Sequence, residues 1–130
     1  MSVKQKYLKD ENGEAFSPIT SIESIYNSNG EQVPQIVAWC YATADSDSFI
    51  IQAGSNIEKI VKILTGTYRV YFKTNIKDSC YSALVNCEVS SIGKEITGIY
   101  QHNTNYFTFD VTDYTGAAVA PAEVNIIVIR

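Results

Sequence analysis

From Pro34 onward, apolar and polar positions alternate with the period of an extended chain. Ile36, Ala38, Cys40 and Ala42 fall on one side and Val37, Trp39 and Tyr41 on the other, so the first strand is apolar on both faces and predicted to be covered twice. Asp45-Ser46-Asp47-Ser48 breaks it, and Phe49 to Ala53 forms the next run before a second break at Gly54 to Asn56. Tyr68, Val70 and Phe72 alternate with Arg69, Tyr71 and Lys73. Tyr81, Ala83, Val85, Cys87 and Val89 alternate with Ser82, Leu84, Asn86 and Glu88, and Phe107, Phe109 and Val111 with Thr108, Asp110 and Thr112, which predicts half-buried strands. Ile126 to Ile129 is apolar without interruption, so the last strand is also predicted to be covered on both faces. Gly, Asn and Asp breaks between such runs indicate an all-β domain, an antiparallel β-sandwich of about seven to eight strands.

One segment reads two ways. Ile57, Ile60, Val61 and Leu64 have helical spacing, with Ser55 and Glu58 as a capping box and Gly66 as a stop, while the same residues also suit an Ile-rich strand. Residues 1–33 differ from the rest. Asn12-Gly13 predicts a tight turn with Tyr7-Leu8 and Ala15-Phe16 on its arms. Ser17-Pro18 then suits a helix start, with Ile19, Ile22, Ile25 and Tyr26 on one face. This piece is too small to own a core, which divides the chain into an N-terminal turn and helix segment, 1–33, and a β-domain, 34–130.

Composition narrows the partners. Nine Tyr, five Phe and one Trp favour strands. A formal charge of −4 with scattered Lys and Arg offers no drive toward a phosphate backbone, so no nucleic acid is expected. No run approaches the ~20 apolar residues of a membrane span, and no signal peptide is read, so neither export nor membrane insertion is expected. Cys40, Cys80 and Cys87 lack metal or redox spacing; buried free thiols are the expectation, with a Cys80 to Cys87 bridge as the alternative.

Candidates for chemistry are few. No Gly-x-Ser-x-Gly elbow or phosphate-binding Gly loop occurs, and a small sandwich offers little depth for paired carboxylates, so no catalytic residue, metal site or cofactor is expected. Asp45-x-Asp47 and Asp10-x-Asn12-Gly13-Glu14 each match half a calcium loop but lack its closing glutamate, and turn chemistry explains both. His102 is the sole histidine. It has no in-chain base partner or metal companion, so an exposed loop residue is the expectation.

Ala38-Trp39, Asn56-Ile57 with Ile60, Thr65-Gly66-Thr67-Tyr68-Arg69-Val70-Tyr71-Phe72, Tyr81, Phe107 to Val111, Gly116-Ala117-Ala118 and Val124 to Ile129 together resemble the C-terminal tip domain of tailed-phage and prophage tail-fibre proteins. The opening, Tyr7 to Thr20, is similar to small tail and baseplate proteins of phages. The resemblance makes 57–63 a strand. Cys40, Tyr41 and Thr67 depart from its pattern, which carries packing residues and no catalytic ones. What it implies is a homotrimer in the virion, assembled in the bacterial cytoplasm, joined to the tail or baseplate through residues 1–33 and binding a host surface saccharide or cell-wall polymer without catalysis. Within that frame, Tyr rings beside amides suit sugars, which offer CH faces and hydroxyls together. Tyr100, His102, Asn103, Asn105, Tyr106 and Tyr114 are the candidate ligand-binding residues. A structural adaptor, baseplate or decoration protein with no host contact is the alternative, and a carbohydrate-binding module of a larger enzyme a third.

Overall fold

The computed structural model describes residues 26, 28–31, 33–88 and 96–130, together with the backbone of two short N-terminal strands. The chain divides into two compact units, Met1–Gln35 and Ile36–Arg130. In the first, β1 (Leu8–Lys9) and β2 (Ala15–Phe16) pair antiparallel, with Leu8 opposite Phe16 and Lys9 opposite Ala15. The Asn12-Gly13 turn between them and the helix expected after Ser17 lie outside the described residues.

The second unit is all-β and antiparallel. Its strands are β3 (Ile36–Asp45), β4 (Ser48–Ser55), β5 (Ile57–Leu64), β6 (Thr67–Phe72), β7 (Ser82–Glu88), β8 (Ile96–His102), β9 (Tyr106–Thr112) and β10 (Glu123–Ile129). They form one eight-stranded sheet in the order β7-β10-β3-β4-β5-β6-β9-β8. The sheet is continuous across its middle through a single residue pair of β4 and β5, Ser48 opposite Val61. At the opposite seam the edge strands are bridged by a side chain, the Thr97 hydroxyl donating to the Val85 carbonyl at 2.8 Å. The barrel is thus nearly closed, and physically it consists of two four-stranded halves packed on a common interior, which is how the expected sandwich is realised.

The interior follows from the period of two. Tyr68, Val70 and Phe72 of β6, Phe107, Phe109 and Val111 of β9, and Val124, Ile126 and Val128 of β10 are all buried, as are Ala38, Cys40 and Ala42 of β3. Each large side chain removed from water contributes about 1.5–3 kcal/mol. Rings interlock within it: Tyr68 stacks on Phe109 at 5.4 Å and meets the edge of Phe49 at 5.2 Å. Cys40, Cys80 and Cys87 form no disulfide; only Cys40 is fully buried, and burial pushes its thiol up to about 11. Cys80 is exposed, contrary to expectation, because it lies in the segment before β7 rather than on an inward strand position.

Two turns explain why 57–64 is a strand despite its helical spacing. Asn56 has a φ of 58°, a left-handed conformation that asparagine tolerates, and it reverses the chain between β4 and β5. Its amide donates to the carbonyls of Val37 (3.2 Å) and Thr74 (3.0 Å) and accepts from the Thr74 N–H (2.7 Å). At the other end, Gly66 has a φ of 76°, and a Cβ there would stand 2.7 Å from the Val111 carbonyl and 2.9 Å from the Ala118 Cβ. Only glycine fits so tight a β5–β6 turn beneath that backbone. The two reversals lock Ile57 and Ile60 inward opposite Phe72 and Val70.

One correction concerns the strands expected to be covered twice. The outward residues Trp39 on β3 and Ile127 on β10 remain 42% and 41% exposed, and Leu84 of β7 is 57% exposed. The outward side of this half keeps apolar surface in contact with water.

Candidate functional site

The candidate residues fall on two ends of β9. Asn103, Thr104 and Asn105 form the short connection between β8 and β9, and Tyr106 opens β9. Tyr114 lies in the loop that follows β9, so the seven residues of the strand, roughly 20 Å of rise, separate it from the others. Tyr100 and His102, expected in a loop, belong to strand β8, which Gly98 and the polar Thr97 and Gln101 concealed in the sequence. Tyr100 sits where the register of β8 slips between Ile99 and Gln101, and is 53% exposed.

The β8–β9 connection is rigidly framed. Asn103 N–H bonds the Tyr106 carbonyl at 2.9 Å, and the carbonyls of Thr104 and Asn105 accept from Ile76 (2.8 Å) and Phe72 (3.0 Å). Tyr81 reaches beneath it, sharing its hydroxyl proton between the carbonyls of Asn103 (2.9 Å) and Tyr106 (3.1 Å). Burial pushes its phenol up to about 12. His102 turns its ring to within 5.0 Å of the Tyr81 ring. The exposed side chains of Asn103 and Asn105 therefore project from a fixed backbone, a favourable arrangement for hydrogen-bonding a ligand because little ordering remains to be done.

The Tyr114 loop is built by turn chemistry. The Asp113 carboxylate accepts from the Thr115 N–H (2.8 Å), the Thr115 hydroxyl and the Ala117 N–H (3.1 Å). The Thr115 hydroxyl bond is the chief reason its carboxyl is held below the usual range. Asp113 is thus occupied by its own loop, and Tyr114 stands 77% exposed beside it. Asp47 likewise belongs to a turn, where Ser46 has a φ of 52°, and its carboxylate pairs with Lys62 at 3.6 Å.

What the sequence reading missed lies on the outward face beside the β8–β9 connection. Lys59, Tyr71 and Tyr106 stand opposite one another across β5, β6 and β9, and Arg69 and Thr108 form the next row with Gln101 of β8. The Tyr71 and Tyr106 rings are 5.7 Å apart. The Lys59 ammonium lies 5.1 Å from the Tyr71 ring centre and the Arg69 guanidinium 4.4 Å from that of Tyr106, both within cation–π range. Arg69 is fixed from beneath: its Nε donates to the Thr108 hydroxyl (3.3 Å) and its Nη2 to the Gln101 carbonyl oxygen (3.3 Å), which also accepts from Thr108 at 2.9 Å. Thr108 is wholly buried under this cover. The alternation of residues 68–72 already placed Arg69 and Tyr71 on one face, but their meeting with Tyr106 depended on an unreadable cross-strand register.

The other half of the barrel presents a different surface. Trp39, Ile127 and Leu84 stand in one row across β3, β10 and β7, with Tyr41, Asn125 and Asn86 in the next. Leu84, Val85, Asn86, Asn125 and Ile127 line a cavity of about 310 Å³. Among the described residues, no three His, Cys, Asp or Glu side chains gather as a metal site, and no helix is long and apolar enough to cross a membrane.

No family model matches the chain, and no curated protein matches it. Among solved structures it resembles the phiAB6 tailspike, crystallised in complex with three-repeated oligosaccharides of Acinetobacter baumannii surface polysaccharide. The likeness covers 96% of this chain with a TM-score of 0.51 and 17% identity, and spans 27% of the tailspike chain. What is shared is the fold. The resemblance to tail-fibre tips is therefore met only coarsely, by a fold that occurs in a phage tailspike. The expectation of binding without catalysis does not stand. It rested on missing motifs and on a domain too small for a catalytic cleft, whereas a protein that contains this fold in about a quarter of its length is a tailspike bound to polysaccharide fragments. What 130 residues lack does not decide the chemistry of such a protein.

Proposed function

We propose that this chain is a saccharide-binding domain of a phage tail protein, and that the outward face of Lys59, Arg69, Tyr71 and Tyr106, with the adjoining Asn103 and Asn105, receives the sugar. The observation that carries it is the Tyr71–Tyr106 ring pair, 5.7 Å between centres, held beside a framed amide-bearing connection. Ring faces take the CH side of a sugar and the amides its hydroxyls, and a site on paired strands changes little when occupied. The fold it shares with a tailspike crystallised with surface oligosaccharides supports the same reading.

Tyr106, Asn103 and Asn105 thus serve the site, Tyr100 lies beside Gln101 at its edge, His102 turns to the other side of the sheet against Tyr81, and Tyr114 lies apart at the opposite end of β9. The rest of the reading places the protein in the virion tail, assembled in the bacterial cytoplasm as a homotrimer, with residues 1–33 joining it to the tail or baseplate. The row of Trp39, Ile127 and Leu84 is the surface its copies would share. Its nearest row is the uncharged Tyr41, Asn125 and Asn86, with the Glu123 and Glu88 carboxylates one row further on, so close contact between copies would centre on the Trp39 end of this face.

Fluorescently labelled protein on a panel of immobilised bacterial surface polysaccharides tests the binding claim. Wild type is expected to be retained by at least one, and the double variant Tyr71→Ala, Tyr106→Ala to lose that retention with its circular dichroism unchanged. A double variant that binds like wild type would sink the assignment of this face.

A further inference from the structure

Resting on the saccharide-binding reading, we infer that this face selects an anionic saccharide, whose carboxylate or phosphate is met by Lys59 and Arg69 while its ring lies against Tyr71 and Tyr106. Two other cations of the domain already have carboxylates: Lys62 pairs with Asp47, and Arg130 with Asp78. Lys59 and Arg69 instead face aromatic rings, and among the described residues neither has an ion-pair partner. Two carboxylates stand near by without pairing to them: Glu58 is exposed beside Lys59 where the register of β5 slips, and Asp110, one row along from Thr108, accepts the Thr67 hydroxyl at 2.8 Å.

Arg69 carries five N–H donors. Its bonds to Thr108 and Gln101 employ Nε and Nη2, and its guanidinium carbon lies 4.4 Å from the Tyr106 ring centre. Gln101 and Thr108 hold the group without cancelling its charge, since neither is ionised. A guanidinium so placed keeps donors for an oxyanion and loses little freedom in meeting one. Lys59 adds a second positive charge across the Tyr71 ring, more adaptable because ammonium is a point charge on a flexible stem. The two cations flank one aromatic pair with their donors unused by any carboxylate among the described residues, and a neutral sugar would leave that charge unmatched.

The test is affinity electrophoresis of the full chain through gels containing polygalacturonate, its carboxyl-reduced neutral counterpart, or a phosphate-bearing mannan. Retardation is expected with one or both anionic polymers, which separates a carboxylate ligand from a phosphate one, and at least about tenfold weaker with the neutral polymer. Raising salt from ~0.05 M to ~0.5 M should remove most of it, because exposed charges are screened over a few ångströms at the higher value. Lys59→Gln, at an exposed position, and Arg69→Gln should each weaken it severalfold, with Arg69→Lys intermediate; Lys59→Gln remains decisive if Arg69→Gln perturbs folding. Equal retardation by the neutral polymer, or indifference to Lys59→Gln and to salt, would overturn the anionic preference and leave saccharide binding standing. No retardation by any of the three polymers would overturn the anionic preference, while retention on the polysaccharide panel decides separately whether the domain binds sugar.

Discussion

The two halves of the barrel share one interior yet present opposite exteriors. On β5-β6-β9-β8 the outward positions carry cations seated on Tyr rings, with a buried hydroxyl and an amide beneath them. On β3-β10-β7 they carry a bare row of Trp39, Ile127 and Leu84. The inward faces are both apolar, although buried rings gather on β6 and β9 while β3 and β10 supply small and aliphatic side chains. An inward face must satisfy packing, which many apolar residues can do, so it says little about function. The outward face is free of that demand. A polar and aromatic surface suits a hydrated ligand, whereas an uncharged apolar one suits a protein partner that removes it from water.

Breaking the apolar side is expected to have the largest effect. Trp39→Asp combined with Ile127→Asp should prevent self-association, so that the mass from light scattering falls about threefold relative to wild type while the strand signal in circular dichroism persists. A wild type that is already monomeric at micromolar concentration would break the comparison at its root. A smaller effect is expected beneath the polar side. Thr108→Val removes the hydroxyl that Arg69 and Gln101 share and should cost about 1–2 kcal/mol in urea unfolding, because their polar atoms lose a buried partner. It should also weaken saccharide retention by loosening Arg69, and unchanged values of both would mean the triad is idle.

The smallest effect concerns the segment that ties the two sides together. Residues 73–81 are bonded to the β8–β9 connection through Ile76 and Tyr81, and to the end of β10 through the forked contact of Asp78 with Arg130. Arg130 holds the Asp78 carboxyl down at about 2. A depressed carboxyl stabilises the fold fully above its unfolded value of about 3.9, and that contribution is lost as pH falls toward the folded value. Urea midpoints of wild type should therefore drop between about pH 4 and about pH 2, and those of Asp78→Asn should be lower above that window and flatter within it. Parallel curves for the two proteins would mean the contact contributes nothing to stability.

Much of the architecture was legible in the residues. The alternation read over 36–42, 68–73, 81–89 and 107–112 falls on β3, β6, β7 and β9, and the strand that the resemblance assigned to 57–63 is β5, against its own helical spacing. That spacing misled because a buried run of Ile satisfies either period, and Asn56 and Gly66, the residues that reverse the chain, act through φ rather than hydrophobicity. β8 escaped notice because Gly98 and polar neighbours at a sheet edge leave little alternation to detect. The candidate site was half visible. Tyr106, Asn103 and Asn105 were chosen for their chemistry, whereas Lys59 and Arg69 looked like ordinary solvated charges and Tyr114 like a neighbour of residues that stand at the far end of a strand.

By itself the sequence determined the strand periodicity, the all-β class and the apolar content of each inward face, because those depend on side chains two apart along one strand. Tertiary structure alone decided which strands became neighbours and in what register. That register brought Lys59, Tyr71 and Tyr106 into one row and Trp39, Ile127 and Leu84 into another, although each trio is drawn from distant parts of the chain. A local turn such as that at Gly66 can set the register of consecutive strands, but β6 with β9 and β3 with β10 have no turn between them, and their register is decided by the collective fit of the core.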